Sequence, residues 1–283
     1  DKFNSQIEDR IKNIDKKIEI ELSKIKLVLD PFKFKLNIKT VDSKLKNQNT
    51  VIDIERLNTQ ISLKSLVENK FLLENLEISL KSTDIKNLIS FLRSFQNTPQ
   101  LFLLEKTVKR GYVIMDIKLE FNSLGEIKDN YTINGFVKDT DLSVLKKYEL
   151  QKINLFFEYK KNSLKLNDII FDLNNLNFLS DNILIEKRKI DYFVKGNISH
   201  NKLNLTKKNF DLFTKKLLPK FEVEKFLFSS ESIFSFEIDK GFQFNNFEIN
   251  SDMLVNEFSF INVLDLKKFF PKIQEKISLS ENK

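Results

Sequence analysis

Strict alternation of apolar and polar side chains is the feature that most constrains the fold of this chain. In residues 113–121 every second residue is apolar, and Asp116, Lys118 and Glu120 lie between them. A repeat of two places the apolar set on one face of a β-strand and the charged set on the other. Residues 32–38, 153–159 and 234–238 repeat this pattern. Such strands are typical of antiparallel sheets that are solvated on one side.

The apolar members of these runs are the candidate residues for an inward face that contacts a ligand. Because large side chains fill every inward position of the runs, the face offers a continuous apolar surface. The candidates are Phe32, Phe34, Leu36, Ile38, Val113, Met115, Ile117, Leu119, Phe121, Ile153, Leu155, Phe157, Phe234, Phe236 and Ile238.

The composition removes most enzymatic chemistries. The 283 residues include no Cys and one His, which excludes a disulfide scaffold, a cysteine nucleophile and a multi-histidine metal site. The five glycines do not cluster into a phosphate-binding loop. A carboxylate pair for glycoside hydrolysis stays open, although no pair among the Asp and Glu residues stands out. We expect no enzymatic activity and no cofactor, and we expect His200, in a polar segment, to lie on the surface.

The basic excess favours a solvated lysine-rich face over a nucleic-acid site. Lys and Arg number 47 and Asp and Glu 40, which gives a formal charge of +7, but only five of the basic residues are Arg. Proteins that read DNA bases or grip phosphates use Arg preferentially, so we expect no nucleic-acid partner. Anionic lipid headgroups are compatible with a lysine-rich face. No stretch approaches the roughly 20 apolar residues of a membrane span. Since the chain begins at Asp1, we interpret it as a processed form or an excerpt, and whether an anchor or a signal precedes Asp1 stays open.

Four segments have helical rather than alternating periodicity. Residues 84–95 place apolar side chains at helical spacing after a capping Asp84. Residues 141–148, 208–218 and 265–279 give three further predicted helices.

A faint internal repeat links the first two predicted helices. Residues 81–88 and 138–145 share the pattern Lys-x-Thr-Asp-Ile/Leu-x-x-Leu, and each follows an alternating run. One interpretation is a repeating unit of several strands and a short helix. The alternative is that any capped amphipathic helix produces this pattern. The nearby pair Asn134 and Gly135 has hairpin-turn chemistry, but we favour one strand that carries a bulge there.

These patterns predict a mostly β protein with a few short helices. Two arrangements bury the apolar strand faces. Facing sheets of a sandwich or barrel would form a dry core, and periodicity alone favours this arrangement. An open, strongly curved sheet would instead leave the face as a groove, in which bound lipid tails supply part of the burial.

Residues 109–148 carry a resemblance that favours the groove. Residues 109–113 open an alternating strand that ends in Phe121, and Gly125 lies in a turn. Residues 131–139 form a strand with Gly, Val and Asp, and Asp141 and Leu142 lead into a short predicted helix. This succession resembles the recurring motif of the AsmA-like family of bacterial envelope proteins, the group of AsmA, TamB and YhdP.

Three further regions extend this resemblance. Residues 20–40 and 60–104 are similar to the early strands of the family, and residues 149–200 continue it. The resemblance covers roughly residues 18–270, and its motifs are degenerate. The family's N-terminal membrane helix has no counterpart in the chain.

The resemblance implies an extended, strongly curved and mainly antiparallel sheet that forms a groove. Residues 1–283 would be a single elongated region of roughly 60-residue strand-plus-helix units, within a longer chain. It implies a non-enzymatic periplasmic segment, associated with the inner membrane through an anchor, that passes phospholipid between the two membranes. Phospholipid acyl chains and envelope proteins are the implied partners. The competing hypothesis is a structural or interaction β-sandwich with a dry core and no ligand.

Overall fold

One open sheet dominates the fold. The computed structural model describes residues 19–47, 50–64, 72–144, 148–207, 209–210, 223–241 and 243–260. Their strands form a single antiparallel sheet of fourteen strands that does not close into a barrel, accompanied by two short helices. The mostly β class with an open, mainly antiparallel sheet is therefore confirmed, and the described residues form no sandwich.

The strands follow one another as a meander. The strand order is β1-β3-β4-β5-β7-β8-β9-β10-β11-β12-β13-β14, while β2 pairs with β3 and β6 with β7. The strands are β1 (Glu19–Glu21), β2 (Lys24–Asp30), β3 (Lys35–Asn47), β4 (Thr50–Ser62), β5 (Leu73–Leu80), β6 (Thr83–Asp84), β7 (Val108–Glu120), β8 (Thr132–Val144), β9 (Tyr148–Lys160), β10 (Ser163–Leu173), β11 (Leu176–Lys187), β12 (Tyr192–Thr206), β13 (Val223–Ile238) and β14 (Phe244–Phe260).

Tight turns set the register of the central strands. Asn174 and Asn175, between β10 and β11, both have positive φ, at 50° and 66°. Two successive residues with positive φ match the twist of a hairpin, and Asn tolerates this conformation. Lys161, in the turn between β9 and β10, has φ 41°. These turns join strands whose pairing begins directly beside them.

Two helices interrupt the meander between β6 and β7. Helix α1 (Ile85–Phe95) begins at Asp84, whose carboxylate accepts a hydrogen bond from the backbone N–H of Asn87 at 3.0 Å. Helix α2 (Pro99–Thr107) begins after Thr98, with Pro99 in its first turn. The prediction for α1 is confirmed, whereas α2 was missed because its apolar residues have no helical periodicity.

A line of β-bulges crosses the sheet. Asp139 in β8, Lys152 in β9 and Asp168 in β10 have φ between 49° and 53°, although none of them is glycine. The register of β8 with β9 and of β9 with β10 shifts beside them. Asp168 lies at the level of Asp181 in β11, where the pairing of β11 with β12 shifts in turn. Since a bulge bends its strand, bulges at matching levels bend the sheet along one line.

Side chains of neighbouring strands satisfy the backbone groups that the bulges release from the ladder. The N–H of Asp139 donates to Asn154 Oδ1 at 3.2 Å, and the N–H of Lys152 donates to Asp141 Oδ1 at 3.0 Å. Asn197 Oδ1 accepts from the N–H groups of both Asp181 and Asn182, each at 3.1 Å. These acceptors replace ladder carbonyls, so the bulged backbone keeps its hydrogen bonds.

Several sequence predictions need correction. Phe32 and Phe34 do not belong to an alternating strand, because β3 begins at Lys35 and both side chains are exposed in the preceding turn. Residues 141–144 continue β8 rather than starting a helix. Here the pairing of Leu142 with both Val108 and Leu150 extends the sheet and overrides local helix periodicity.

Two predicted helices cannot be compared in full. The predicted helix 208–218 falls mostly outside the described residues, and 265–279 lies wholly outside them. Asn134 and Gly135 lie within β8, as predicted, but the bulge is at Asp139.

The sequence repeat has a limited structural counterpart. In both copies a buried Thr donates its hydroxyl to the carbonyl of the Lys two residues earlier, Thr83 to Lys81 at 2.8 Å and Thr140 to Lys138 at 3.3 Å. After this shared contact the copies diverge, since the first leads into α1 and the second stays in β8.

The described residues fall into two compact units. One lies within residues 1–199 and 232–250, and the other within 200–231 and 251–283. In the first unit, α1 packs Leu88, Phe91 and Phe95 against Ile52 and Ile54 of β4, and these contacts form a hydrophobic core. The expected single elongated region of repeated units stays a prediction.

The carboxylate of Asp141 tests how much the bulges depend on side-chain acceptors. We expect Asp141→Ala to lower the free energy of unfolding by about 1–3 kcal/mol, because the N–H of Lys152 loses its acceptor at a partly buried position. Asp141→Asn keeps an oxygen for this N–H and loses only the ion pair with Arg110, whose side chain is largely exposed. Asp141→Asn should therefore lower the free energy of unfolding by less than about 1 kcal/mol. Urea denaturation measures both, and equal losses would contradict the assignment.

Candidate functional site

The ladder register defines a continuous apolar face in the first compact unit. Residues that oppose each other across a ladder lie on the same side of the sheet. One such row crosses nine strands, from β3 to β12, and spans roughly 38 Å at about 4.8 Å per strand. The row consists of Thr40, Leu57, Ile78, Ile117, Ile133, Tyr159, Leu164, Ile185 and Val194. We call this side of the sheet the apolar face.

A second row lies beside the first on the apolar face. It runs from β7 to β12 and contains two glycines among large side chains. Its members are Met115, Gly135, Phe157, Leu166, Ile183 and Gly196. At Gly135, a Cβ atom would lie 2.5 Å from the ring of Phe157. Glycine at this position therefore leaves room for the Phe157 ring against the strand.

Helix α1 covers one end of the apolar face. The helix contacts β4 and β7, and the residues beneath it, such as Ile52, Ile54 and Leu80, are almost fully buried. This end is thus a closed core.

Beyond α1 the apolar face changes character. Among the described helices only α2 reaches β8, and neither helix has substantial contacts with β9, β10 or β11. Side chains such as Phe157, Leu166 and Ile183 are accordingly only half-buried. The open part of the apolar face therefore begins at β8.

Several buried residues of the open part lie along the line of bulges, whereas Val194 of β12 is buried away from it. Thr140, Ile153, Ile169 and Ser180 are buried, and each lies within two residues of a bulge or register shift. Their neighbours farther along the strands, such as Leu155 and Phe171, are half-buried. Bent strands would bury side chains at the inside of the bend in this way. We therefore infer that this unit's apolar face is concave, with the bulge line as its floor.

The opposite side of the sheet is mostly polar. Its rows contain charged residues such as Lys118, Glu158 and Lys165, together with exposed apolar residues. One group of these apolar residues lies in β7, β8 and β9. In that group Ile114 opposes Phe136, which opposes Phe156, and the two phenylalanine rings lie 4.8 Å apart. We call this side the outer face.

Most of the sequence-predicted site residues share the apolar face. The register places Leu36, Ile38, Met115, Ile117, Leu119, Leu155 and Phe157 there, and alternation adds Val113 and Ile153. Phe121 lies just beyond β7 in an isolated bridge with Ile127. Phe32 and Phe34 lie in a turn and are not brought to the face. The same face also carries four residues that alternate in the same way but were not among the predicted site residues, namely Leu164, Leu166, Ile183 and Ile185.

The candidates in β13 form an aromatic cluster with β14. The rings of Phe234 and Phe236 stack 5.9 Å apart, and Phe236 lies 5.3 Å from Phe244. A shallow cavity of about 390 Å³ lies beside this cluster and is lined in part by Phe193, Lys195, Ile233 and Phe234. Lys195 and Phe193 belong to outer-face rows.

His200 is buried rather than on the surface. In the second compact unit its imidazole Nε2 lies 2.9 Å from Ser230 Oγ, and its ring packs edge-on against Phe228 at 4.4 Å. Burial lowers the pKa of His200, because the charged form loses hydration. The expected surface position is wrong because alternation in β12 carries this polar residue inward.

The described residues offer neither a cluster of metal ligands nor a membrane-spanning helix. They contain no group of three or more Asp, Glu or His side chains placed to hold a metal ion. Neither described helix has the length and apolar character needed to cross a membrane.

Comparison with known proteins identifies no relative. No family model matches the chain, and no match was found among curated proteins or among solved structures.

His200 predicts a pH dependence that can be assigned to one residue, because the chain has a single His. Its pKa is lowered in the folded state, so between the folded and unfolded pKa values the unfolded chain binds more protons. The stabilising contribution of neutral His200 should therefore be full above the ordinary His pKa of about 6.5 and be lost as the pH falls below it. Urea denaturation between pH 7.5 and pH 5.5 tests this, and His200→Gln should flatten the dependence. An unchanged slope in this variant would contradict it.

Proposed function

We propose that the open part of the apolar face, from β8 to β12, holds phospholipid acyl chains. The chain would be a non-enzymatic segment of a periplasmic conduit that carries lipid between the inner and outer membranes, as its resemblance to the AsmA-like family implies. The observation that carries the proposal is a row of large, mostly half-buried apolar side chains that the described helices leave largely uncovered, above a line of bulges.

The length of this open part suits an acyl chain. Five adjacent strands, from β8 to β12, span four intervals of about 4.8 Å, or roughly 19 Å. One leaflet of a bilayer accounts for half of a hydrocarbon core of about 30 Å, so an acyl chain reaches roughly 15 Å. A chain lying across the strands would thus be accommodated along its whole length.

The energetics require only that the apolar face resemble the bilayer interior. An acyl chain in water costs about 0.8 kcal/mol for each exposed CH₂ group. Contact with half-buried residues such as Phe157 and Leu166 removes much of this cost. Because the row has no charged side chains, the binding free energy of the acyl chain should vary little from strand to strand, and the lipid is not held at one of them. The face would therefore lower the barrier to transfer without chemistry or a cofactor.

The polarity of the outer face fits the same proposal. Its Lys and Glu side chains keep the sheet solvated while the apolar face is occupied. The periplasmic location, the association with the inner membrane through an anchor beyond this chain, and envelope protein partners are part of the proposal and rest on the resemblance.

A structural or interaction protein with a dry core is the second candidate. The closed core beneath α1 favours it, because there the apolar face is already covered by the protein itself. The two candidates differ at β8 to β12, where only the first requires bound lipid.

Photocrosslinking at two adjacent residues of β9 tests lipid contact. We expect p-benzoylphenylalanine at position 157 to crosslink to phospholipid in cells, because Phe157 lies on the apolar face. The same group at position 156 is the matched control, since Phe156 lies on the outer face. Mass spectrometry of the adducts gives the readout. Equal lipid adducts at both positions, or none at position 157, would contradict the proposal.

Charged substitutions in β11 separate a groove from a dry core. Ile183→Asp places a carboxylate on the apolar face, and Leu184→Asp places one beside it on the outer face. We expect at least a fivefold loss of co-purified phospholipid for Ile183→Asp and less than a twofold change for Leu184→Asp. Both variants should stay folded by circular dichroism, because water can reach an open face. Cooperative unfolding caused by Ile183→Asp alone would favour the dry core.

A further inference from the structure

Helix α2 exposes apolar side chains on several sides. Phe102, Leu103 and Leu104 are consecutive, so they point in three directions around the helix, and 48%, 47% and 45% of their surfaces are exposed. Leu92 of α1 is similarly exposed. Ordinary surface helices confine apolar residues to the side that faces the core. The exposed apolar side chains of α2 therefore indicate a surface that a binding partner covers.

Basic residues accompany this apolar cluster. The guanidinium of Arg93 lies 5.1 Å from the centre of the Phe102 ring, and the ammonium of Lys106 lies 5.7 Å from it. Lys86 is a third basic residue of the helices. The only acidic side chain within α1 and α2 is Glu105, which pairs with Arg93. The helical pair thus carries three positive charges and one negative charge, and the negative charge is already neutralised.

The size of the cluster argues against a protein partner. Four side chains, each a little less than half exposed, offer on the order of 300–400 Å² of apolar surface. A stable protein interface needs roughly 800 Å² from each partner, and its core is depleted of Lys. A few apolar side chains with Lys and Arg around them instead match shallow insertion into an anionic bilayer surface.

We propose that the helical pair α1–α2 docks the protein onto an anionic phospholipid surface, with Phe102, Leu103 and Leu104 inserted among the headgroups. Lys86 and Lys106 contact lipid phosphates, and Phe102 supports Lys106 through the face of its ring. The docking does not depend on lipid in the open part of the apolar face. It would nevertheless bring β8, which α2 contacts, close to a membrane.

Vesicle sedimentation with the full chain tests the docking. The vesicles contain phosphatidylcholine alone or with phosphatidylglycerol at about one third of the lipid. We expect binding to the anionic vesicles, weakened at least tenfold by the double variant Leu103→Glu/Leu104→Glu. The matched control is Ile114→Glu/Phe156→Glu, which adds the same charge at exposed apolar residues of the outer face and should change binding less than threefold. Added salt should weaken the binding of the unaltered protein, because the Lys contacts are screened.

Other outcomes would overturn the docking proposal. Equal loss in both double variants would show that added negative charge alone weakens binding. Equal binding to neutral and anionic vesicles would show that the lysines do not contribute to binding through the charge of the lipid. If sedimentation velocity showed a dimer that only the helix variant dissociates, and vesicles did not bind, the occupant would be a second copy. Photocrosslinking at position 157 in detergent-solubilised lipid is independent of docking, so failure of the groove and failure of the docking remain distinguishable.

Discussion

The structure depends on keeping backbone hydrogen bonds intact where the strands bend. A long antiparallel ladder favours regular pairing, and each bulge removes N–H groups from it. Asn154, Asp141 and Asn197 supply side-chain oxygens at these points. Without such acceptors a bend would leave polar groups unpaired and costly. The bend, the buried floor of the apolar face and the half-buried residues above it all follow from these polar contacts.

The bulge residues themselves explain why the bends remain in place. Asp139, Lys152 and Asp168 adopt a left-handed conformation that most residues other than glycine avoid. Each is held there by pairing on both flanks, so the local cost is offset by the ladder. A sheet with glycine at these positions would adopt the same conformation but with more freedom in the unfolded chain. Asp and Lys at the bulges have fewer accessible backbone conformations than glycine, so they hold the bend in a single conformation.

Alternation allowed the sheet and most of its apolar face to be predicted, because a repeat of two is a direct consequence of strand geometry. Ile117, Leu155 and Phe157 were found in this way. The errors arose where long-range pairing decided the structure. Residues 141–144 have helical periodicity but extend β8, since strands on both sides pair with it. The bulges were also missed, because Asn154 and Asn197 resemble turn residues until their partners across the ladder are known.

Coverage, rather than composition, decides what the apolar face can do. The same kind of side chain forms a closed core beneath α1 and an open surface from β8 onward, and no sequence pattern distinguishes Ile78 from Ile133. What differs is the position of one helical pair in three dimensions. That pair closes one end of the face with its inward residues and exposes Phe102, Leu103 and Leu104 on its other sides. If these exposed residues contact a membrane, the open part of the apolar face begins at β8, the strand that α2 contacts. Lipid would then enter the open part at this end, so the two ends of the sheet would have different roles although the strands between them are alike.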